Sequence, residues 1–263
     1  MKIGFIGFGN MAQAIATGLL EKNIAKSEDL SFSNRTASKR LELETSFGIK
    51  GFSDNQAVWD RSEVIFLAVK PYQVEAVLND IDQTHAPLII SVVAGITNHQ
   101  LTQFLNGSSF VRTMPNLNAQ VGEGITAIIE RESLEEHHLE MVSKLFSAVG
   151  EVVVLPESQL GAFIAIAGSS PALVFMFIDT LARAAVKYGL PKDKATKIAA
   201  QAVLGSGKTV LKSQESPWTL VDKVSSPGGI TVEGILSLLQ SDFSASIIQS
   251  VDAMVDKNDE MSK

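Results

Sequence analysis

Hydrophobic positions along this chain fall into two regimes that meet near Pro156. Before it, short apolar runs alternate with segments whose apolar residues recur every three or four positions. Residues 2–6, 30–34, 64–69, 88–93, 110–112, 125–129 and 152–155 read as strands. The run Val64-Ile65-Phe66-Leu67-Ala68-Val69 is apolar on both faces, as in parallel strands covered on both sides. Helical spacing fills 14–20, 37–47, 72–78, 101–105 and 134–149 between them, with Pro71 as an opening signal. In the last of these, Leu139, Val142, Leu145 and Phe146 share one face. Strands alternating with helices imply a doubly wound parallel sheet.

After Pro156 only helical segments follow. Residues 160–178 carry no charge and are about long enough to span a bilayer. Gly168-Ser169-Ser170-Pro171 interrupts them, so two buried helices are expected and not a membrane span. Ser170 would be the N-cap of the second and Pro171 its first residue. That helix should end at Tyr188, before a C′ glycine and a stop at Gly189-Leu190-Pro191. Further helices are expected at 193–211, after Pro217, at 230–239 and at 245–255. The domains are therefore set at 1–156 and 157–263. Residues 172–178 are apolar all round, which demands cover on every side. So few helices cannot supply that cover, which makes a second subunit the expected one, ahead of an intrachain core.

Composition narrows the partners. Of 263 residues, 45% are hydrophobic and 19% charged, an ordinary globular balance. A net charge of −7 without a basic patch argues against nucleic acid. The chain has no cysteine, which excludes disulfides and thiolate chemistry and fits a cytoplasmic protein. Its first residues already form a strand, leaving no room for a signal peptide. His85 and His99 lie near turns, and His137-His138 beside Glu135-Glu136 should be solvated. No metal site is expected, and no serine nucleophile elbow is present.

The candidate chemistry starts at Gly7-Phe8-Gly9-Asn10-Met11-Ala12, a G-x-G-x-x-A between a strand and a helix. Gly7 permits the tight turn, Gly9 lets a pyrophosphate approach the backbone, and Ala12 allows close helix–strand packing. The helix start offers free N–H groups to phosphates. This is a dinucleotide site, and the first domain is Rossmann-like. At the end of the second strand, NAD-preferring proteins of this kind carry an Asp or Glu for the ribose. Here Ser33-Asn34-Arg35-Thr36 offers hydrogen-bond donors and a cation that suit a 2′-phosphate. NADP(H) is therefore the expected cofactor, with NAD(H) the weaker alternative. Ala68-Val69-Lys70-Pro71 lies at the carboxyl end of a strand, where such sheets bind ligands, although a lone lysine there is commonly just solvated. Ser225-Ser226-Pro227-Gly228-Gly229-Ile230-Thr231 is either a serine-capped, glycine-rich helix entry or a carboxylate site with Thr231 presenting a hydroxyl.

Together these motifs resemble pyrroline-5-carboxylate reductases. The resemblance rests on Gly7 to Ala12, Ala68-Val69-Lys70-Pro71, Ala94-Gly95 and Arg112-Thr113-Met114-Pro115-Asn116. It continues through Gly168-Ser169 with Pro171-Ala172, Gly189-Leu190-Pro191, and Ser226-Pro227-Gly228-Gly229 with Thr231. Leu117-Asn118 replaces the family's usual Thr-Pro, Ser170 a usual glycine and Leu173 a common tyrosine. The resemblance implies NADPH-dependent reduction of 1-pyrroline-5-carboxylate to L-proline, the final step of proline biosynthesis. It implies Thr231 as the catalytic hydroxyl on the imine nitrogen. Ser226, Gly228, Gly229 and Ile230 would join it in holding the cyclic imino acid. The cofactor set would be Gly7, Gly9, Asn10, Met11, Ala12, Ser33, Asn34, Arg35, Asn55, Ala68, Val69, Lys70, Pro71 and Ala94. It also implies that the helical domain dimerises, with some members forming a ring of dimers. Two other readings compete: a β-hydroxyacid dehydrogenase, whose interdomain helix should carry an early lysine, and a non-catalytic NADP-binding sensor.

Overall fold

The computed structural model describes residues 1–105, 107–131 and 134–261. They form two compact units: Met1–Gly168 with the chain's end from Asn258, and Ser169–Lys257. In the first unit eight strands make one sheet: β1 (Ile3–Ile6), β2 (Leu30–Ser33), β3 (Lys50–Phe52), β4 (Val64–Leu67), β5 (Leu88–Ser91), β6 (Phe110–Pro115), β7 (Gly124–Ile129) and β8 (Gly150–Leu155). Their spatial order is β3-β2-β1-β4-β5-β6-β7-β8. The helices between them are α1 (Asn10–Glu21), α2 (Ala37–Phe47), α3 (Gln56–Trp59), α4 (Val74–Asn79), α5 (Asn98–Phe104) and α6 (Glu136–Phe146).

The order turns around at β1, which pairs with β2 on one side and β4 on the other, both parallel. That reversal opens a crevice at the carboxyl ends of the strands. Apolar clusters cover both faces. One is built on Ile3, Phe5, Phe66 and Phe146, the other on Ile6, Trp59, Ile65 and Ile89. Phe5 stacks on Phe66 with centroids 5.1 Å apart, and Phe8 on Phe32 at 4.5 Å. Double coverage is why these strands read as unbroken apolar runs.

The sheet is mostly and not wholly parallel: β6 and β7 pair antiparallel. The link between them contains only a short 3₁₀ turn, Leu117–Val121. A parallel return needs a crossover of a dozen or more residues, so this link forces a hairpin-like reversal. The sequence reading missed β3 and α3, which are too short to show a period.

The expected break at 168–171 is absent. The chain runs helically from Glu157 to Lys187, through α7 (Leu160–Phe163), a π-helical segment Ile164–Ser169 and α8 (Ser170–Lys187). The N-cap of α8 is Ser169, not Ser170, and it makes no side-chain cap bond. Pro171 has no N–H to give. It sits just past the change from π to α register, where its missing bond disrupts least. Nor is this helix buried within the chain: Phe175 is 55% and Met176 65% exposed. By length and composition it could cross a membrane.

The rest of the second unit is α9 (Lys192–Lys212), α10 (Pro217–Val224), α11 (Ile230–Gln240) and most of α12 (Phe243–Met261). Between α8 and α9, Gly189 adopts φ +93°, as a C′ glycine should. Asp179 of α8 accepts from Lys192 (2.6 Å) and from Arg183 (2.5 Å). These bonds, Lys192 first, hold its carboxyl below the usual range.

Candidate active site

The turn after β1 has the geometry its glycines foreshadow. Gly7 sits at φ +86°, and a Cβ there would lie 2.7 Å from the Ala68 carbonyl oxygen. Gly9 differs: a Cβ on it would meet nothing within 4 Å. Open space above Gly9 is what an approaching phosphate needs. Gly9 is also the N-cap of α1, with no side-chain cap bond and no acidic residue in the first turn. The first-turn N–H groups of Asn10, Met11 and Ala12 therefore have no intrahelical acceptor. Ala12 is fully buried, while Asn10 stands exposed.

At the end of β2, Ser33 Oγ donates to Asn55 Oδ1 at 2.7 Å, joining two residues 22 positions apart. Asn34 folds the turn: its Oδ1 accepts the Thr36 N–H at 3.0 Å, and its carbonyl accepts from Arg40 Nη1 at 3.0 Å. A hollow of about 210 Å³ collects Gly7, Phe8, Ser33, Asn34, Arg35, Asn55, Val69, Gln73 and Val77. Among the described residues no carboxylate lines it. The structure thus brings Gly7, Ser33, Asn34, Arg35, Asn55 and Val69 to one place. Phe8, Gln73 and Val77 are lining residues the sequence reading missed. For Gln73 the signal lay three positions past Lys70, where its Oε1 accepts the Lys70 N–H at 3.2 Å. Ala68 follows β4 directly, Lys70 is exposed, and Pro71 opens the 3₁₀ turn that leads into α4. Ala94 is exposed in the turn after β5, beside Gly95 at φ +75°.

In the second unit, Ser225 ends α10 and the Ser226–Gly229 turn closes through a Gly229 N–H bond to the Ser226 carbonyl at 2.9 Å. Gly228 takes φ +68°, which favours glycine, and a Cβ on Gly229 would sit 2.8 Å from Ser226 Oγ, which would have to turn away. The expected serine cap of α11 is not formed. Gly229 is the N-cap, without a side-chain bond. The first-turn N–H groups have no side-chain cap, and Glu233 is also in that turn. Thr231 is half-buried in it, and Ile230 is 92% exposed.

Two further polar groups brace the first unit. Asn116, 5% exposed, bridges Ala167 and Ile125. Arg112, 7% exposed in β6, forms an ion pair with Glu157. Burial pulls the Arg112 pKa down, and the Glu157 charge opposes that. Away from these, Glu135, His137 and His138 converge, with their ligating atoms within 4.8 Å of one another. The sequence places these residues side by side, where they were expected only to be solvated. Glu135 is still extended at the α6 N-cap (φ −74°, ψ 141°), so its side chain swings back over the first turn.

Comparison with known proteins follows the same division. Residues 157–261 match the model for the pyrroline-5-carboxylate reductase dimerisation family, and residues 2–95 that for NADP oxidoreductase, coenzyme F420-dependent. The pyrroline-5-carboxylate reductase of Escherichia coli (strain K12) is 37% identical, covering 100% of this chain and 98% of its own. The fold superimposes on a pyrroline-5-carboxylate reductase from Coxiella burnetii with a TM-score of 0.92 and 31% identity, covering 100% and 98% of the two chains. It also matches the Plasmodium falciparum pyrroline carboxylate reductase with NADP bound, at TM-score 0.86 and 29% identity, covering 100% and 98%. With relatives this similar over their full length, the chain belongs to the pyrroline-5-carboxylate reductase family.

Proposed function

We propose that NADPH binds at the carboxyl ends of β1, β2 and β4, and that the turn before α11 holds the imino acid. The reaction is NAD(P)H-dependent reduction of 1-pyrroline-5-carboxylate, the final step of proline biosynthesis. The full-length family match carries this reading, together with the intact Ser226-Pro227-Gly228-Gly229-x-Thr231 segment at a helix start.

The residues present suit the dinucleotide. Gly9 leaves open space over an uncapped helix start, and the described residues lining the hollow beyond β2 include a cation and no carboxylate. The N–H groups of Asn10, Met11 and Ala12 would hold the pyrophosphate. Arg35, Ser33 and Asn34 would hold the 2′-phosphate, with Asn55 fixing Ser33. Ala68, Val69, Lys70, Pro71 and Ala94 would line the path toward the nicotinamide. NADPH bound there supplies the hydride from nicotinamide C4. The α11 N–H groups and Ser226 receive the substrate carboxylate, and Gly228, Gly229 and Ile230 present backbone alone. Thr231 donates its hydroxyl to the imine nitrogen. The neutral imine nitrogen takes a proton, relayed from water through that hydroxyl, as hydride reaches the imine carbon, so no histidine or carboxylic acid is required. Positioning supplies most of the acceleration, up to about 7–11 kcal/mol in favourable cases.

The functional division is placed at 156/157, supported by the dimerisation model's start at residue 157. The protein is a homo-oligomer, and we assign a homodimer or a ring of dimers. The exposed Phe175, Met176 and Phe177 support this, since a second copy would cover them instead of lipid. The lack of a nucleic-acid partner rests on the net charge of −7, and cytoplasmic location on a composition without cysteine. A β-hydroxyacid dehydrogenase has less support: the 157–187 helix carries its one lysine, Lys187, at its far end. Loss of NADPH absorbance, read against a panel of cyclic imines and 2-keto acids, is the test. Turnover of 2-keto acids but not of imines would overturn the reading.

A further inference from the structure

The start of α6 brings two imidazoles and a carboxylate together on residues with no part in the cofactor or substrate sites. Glu135 Oε2 lies 3.2 Å from His137 Nδ1, and the His137 and His138 ring centroids are 4.0 Å apart. We propose that Glu135, His137 and His138 form a binding site for a divalent transition-metal ion, zinc by preference.

The donor set argues for the class of ion. Two imidazole nitrogens with one carboxylate oxygen suit zinc and its neighbours, whereas magnesium and calcium take oxygen ligands. Three protein ligands leave a fourth position for water. Around a tetrahedral zinc, ligands about 2.0–2.1 Å from the ion stand about 3.3 Å apart. The Glu135–His137 edge already has that length, and all three ligating atoms fall within 4.8 Å. The other two edges, within 4.8 Å, have to close toward that length by side-chain rotation. Glu135 and His137 are each 61% exposed and free to make it. A cation at a helix N-terminus meets the positive end of the dipole. Glu136 in the same turn and Glu140 one turn on offset this. Glu140 shares with His137 a hollow of about 470 Å³ that also includes Met1 and Lys144. Among the described residues no other group of three such ligands occurs. Of the remaining histidines, His85 Nε2 is within 2.8 Å of the Ser62 carbonyl and His99 lies in α5, while cysteine is absent from the chain.

The test uses full-length protein without a histidine tag, dialysed against EDTA and titrated with zinc chloride in a calorimeter. A chromophoric chelator provides an independent competition reading. One zinc per chain at micromolar affinity is expected, with a rise in thermal midpoint under excess zinc. His137→Ala and His138→Ala should each weaken binding at least tenfold, and Glu135→Gln by less. The double variant H137A/H138A should reduce the imine at the wild-type rate, which also establishes that it is folded. Magnesium chloride should give no heat. Equal zinc binding by the wild type and the double variant would overturn the proposal, as would no binding by the wild type or equal binding of magnesium. The outcome is independent of the reductase assay, so failure of one leaves the other standing.

Discussion

The side-chain amide of Asn116 donates to the Ala167 carbonyl across 2.9 Å, and its oxygen accepts the Ile125 N–H at 3.0 Å. One buried side chain thus ties the end of β6 to the start of β7 and to the π-helical segment. A π register is costly alone and persists where its surroundings hold it. Asn116→Ala leaves buried groups unpaired, at about 1–3 kcal/mol each. Asn116→Asp keeps the acceptor for Ile125 but sets a carboxylate against the Ala167 carbonyl. Burial and that carbonyl should raise the new carboxyl's pKa above its unfolded value. Its destabilisation is then full at neutral pH and shrinks as pH falls through the folded pKa. Thermal midpoints at pH 7 and near pH 5 check this. An Asn116→Asp midpoint equal to wild type at pH 7 would show that the bond does not matter.

Much of the first unit was legible because its chemistry is local. Buried parallel strands must be apolar on both faces, so β1, β4 and β5 announce themselves, and α2 lies at 37–47 as its spacing requires. Gly7 was legible because a positive φ in a tight turn admits few substitutes. What stayed hidden depends on tertiary placement. The antiparallel β7 follows from the length of the link after Asn116, not from the composition of the strand. The path through Gly168 and Pro171 reads as a break in any local analysis, and its π segment is bonded by Asn116 from far back in sequence. Gln73 and Val77 reach the hollow through the 3₁₀ turn after β4 and the α4 that follows it. Glu135 joins His137 only because it is the extended residue at a helix entry.

Two glycines should respond oppositely to the same change. A Cβ on Gly150, at φ +145°, would lie 1.9 Å from the Gly124 carbonyl oxygen in the paired strand. Gly150→Ala should cost about 4 kcal/mol or more, with the protein scarce or aggregated. Gly9 has φ −83° and open space, so Gly9→Ala should lower the midpoint only by what alanine loses to glycine at an N-cap, about 1 kcal/mol or less. The new methyl fills the space assigned to the pyrophosphate, so NADPH affinity, read by quenching of protein fluorescence, should fall. Unchanged affinity would move the phosphates elsewhere.

Arg35→Ala should weaken NADPH far more than NADH. A hydrogen bond to a charged group is worth about 1.5–3 kcal/mol, roughly ten- to hundredfold. Arg40 acts one step back, since its Nη1 holds the Asn34 carbonyl. Arg40→Met should therefore give a smaller loss in the same direction. Equal losses for both cofactors in Arg35→Ala would refute the 2′-phosphate assignment.

The apolar face of α8 should be an interface between copies. Phe175 and Phe177 are 55% and 41% exposed in the single chain. Phe175→Glu with Phe177→Glu should shift light scattering from a dimer, or a multiple of one, toward monomer. An active, monodisperse wild-type monomer at micromolar concentration would remove the need for a partner.

Thr231 is the sharpest case. It stands in the first turn of α11, whose N-cap is a glycine without a side-chain bond, so the helix start is not held by a hydroxyl. The carboxylate and nitrogen of a cyclic imino acid are close neighbours. Anchoring the carboxylate on the α11 N–H groups therefore brings the nitrogen within reach of Thr231. A hydroxyl bond that strengthens as the imine becomes an amine acts on the transition state more than on the bound substrate. Thr231→Ala should then lower kcat more than it raises the KM for NADPH. Help of the general-acid kind is worth about 10²–10⁴-fold, against about tenfold for a bond that only orients. Thr231→Ser keeps the hydroxyl and should keep most of the rate. A purely supporting role predicts instead a stability loss of about 1 kcal/mol with near-normal turnover. Thermal midpoints and steady-state kinetics on both variants decide between them. A folded Thr231→Ala enzyme turning over at the wild-type rate would take Thr231 out of the mechanism.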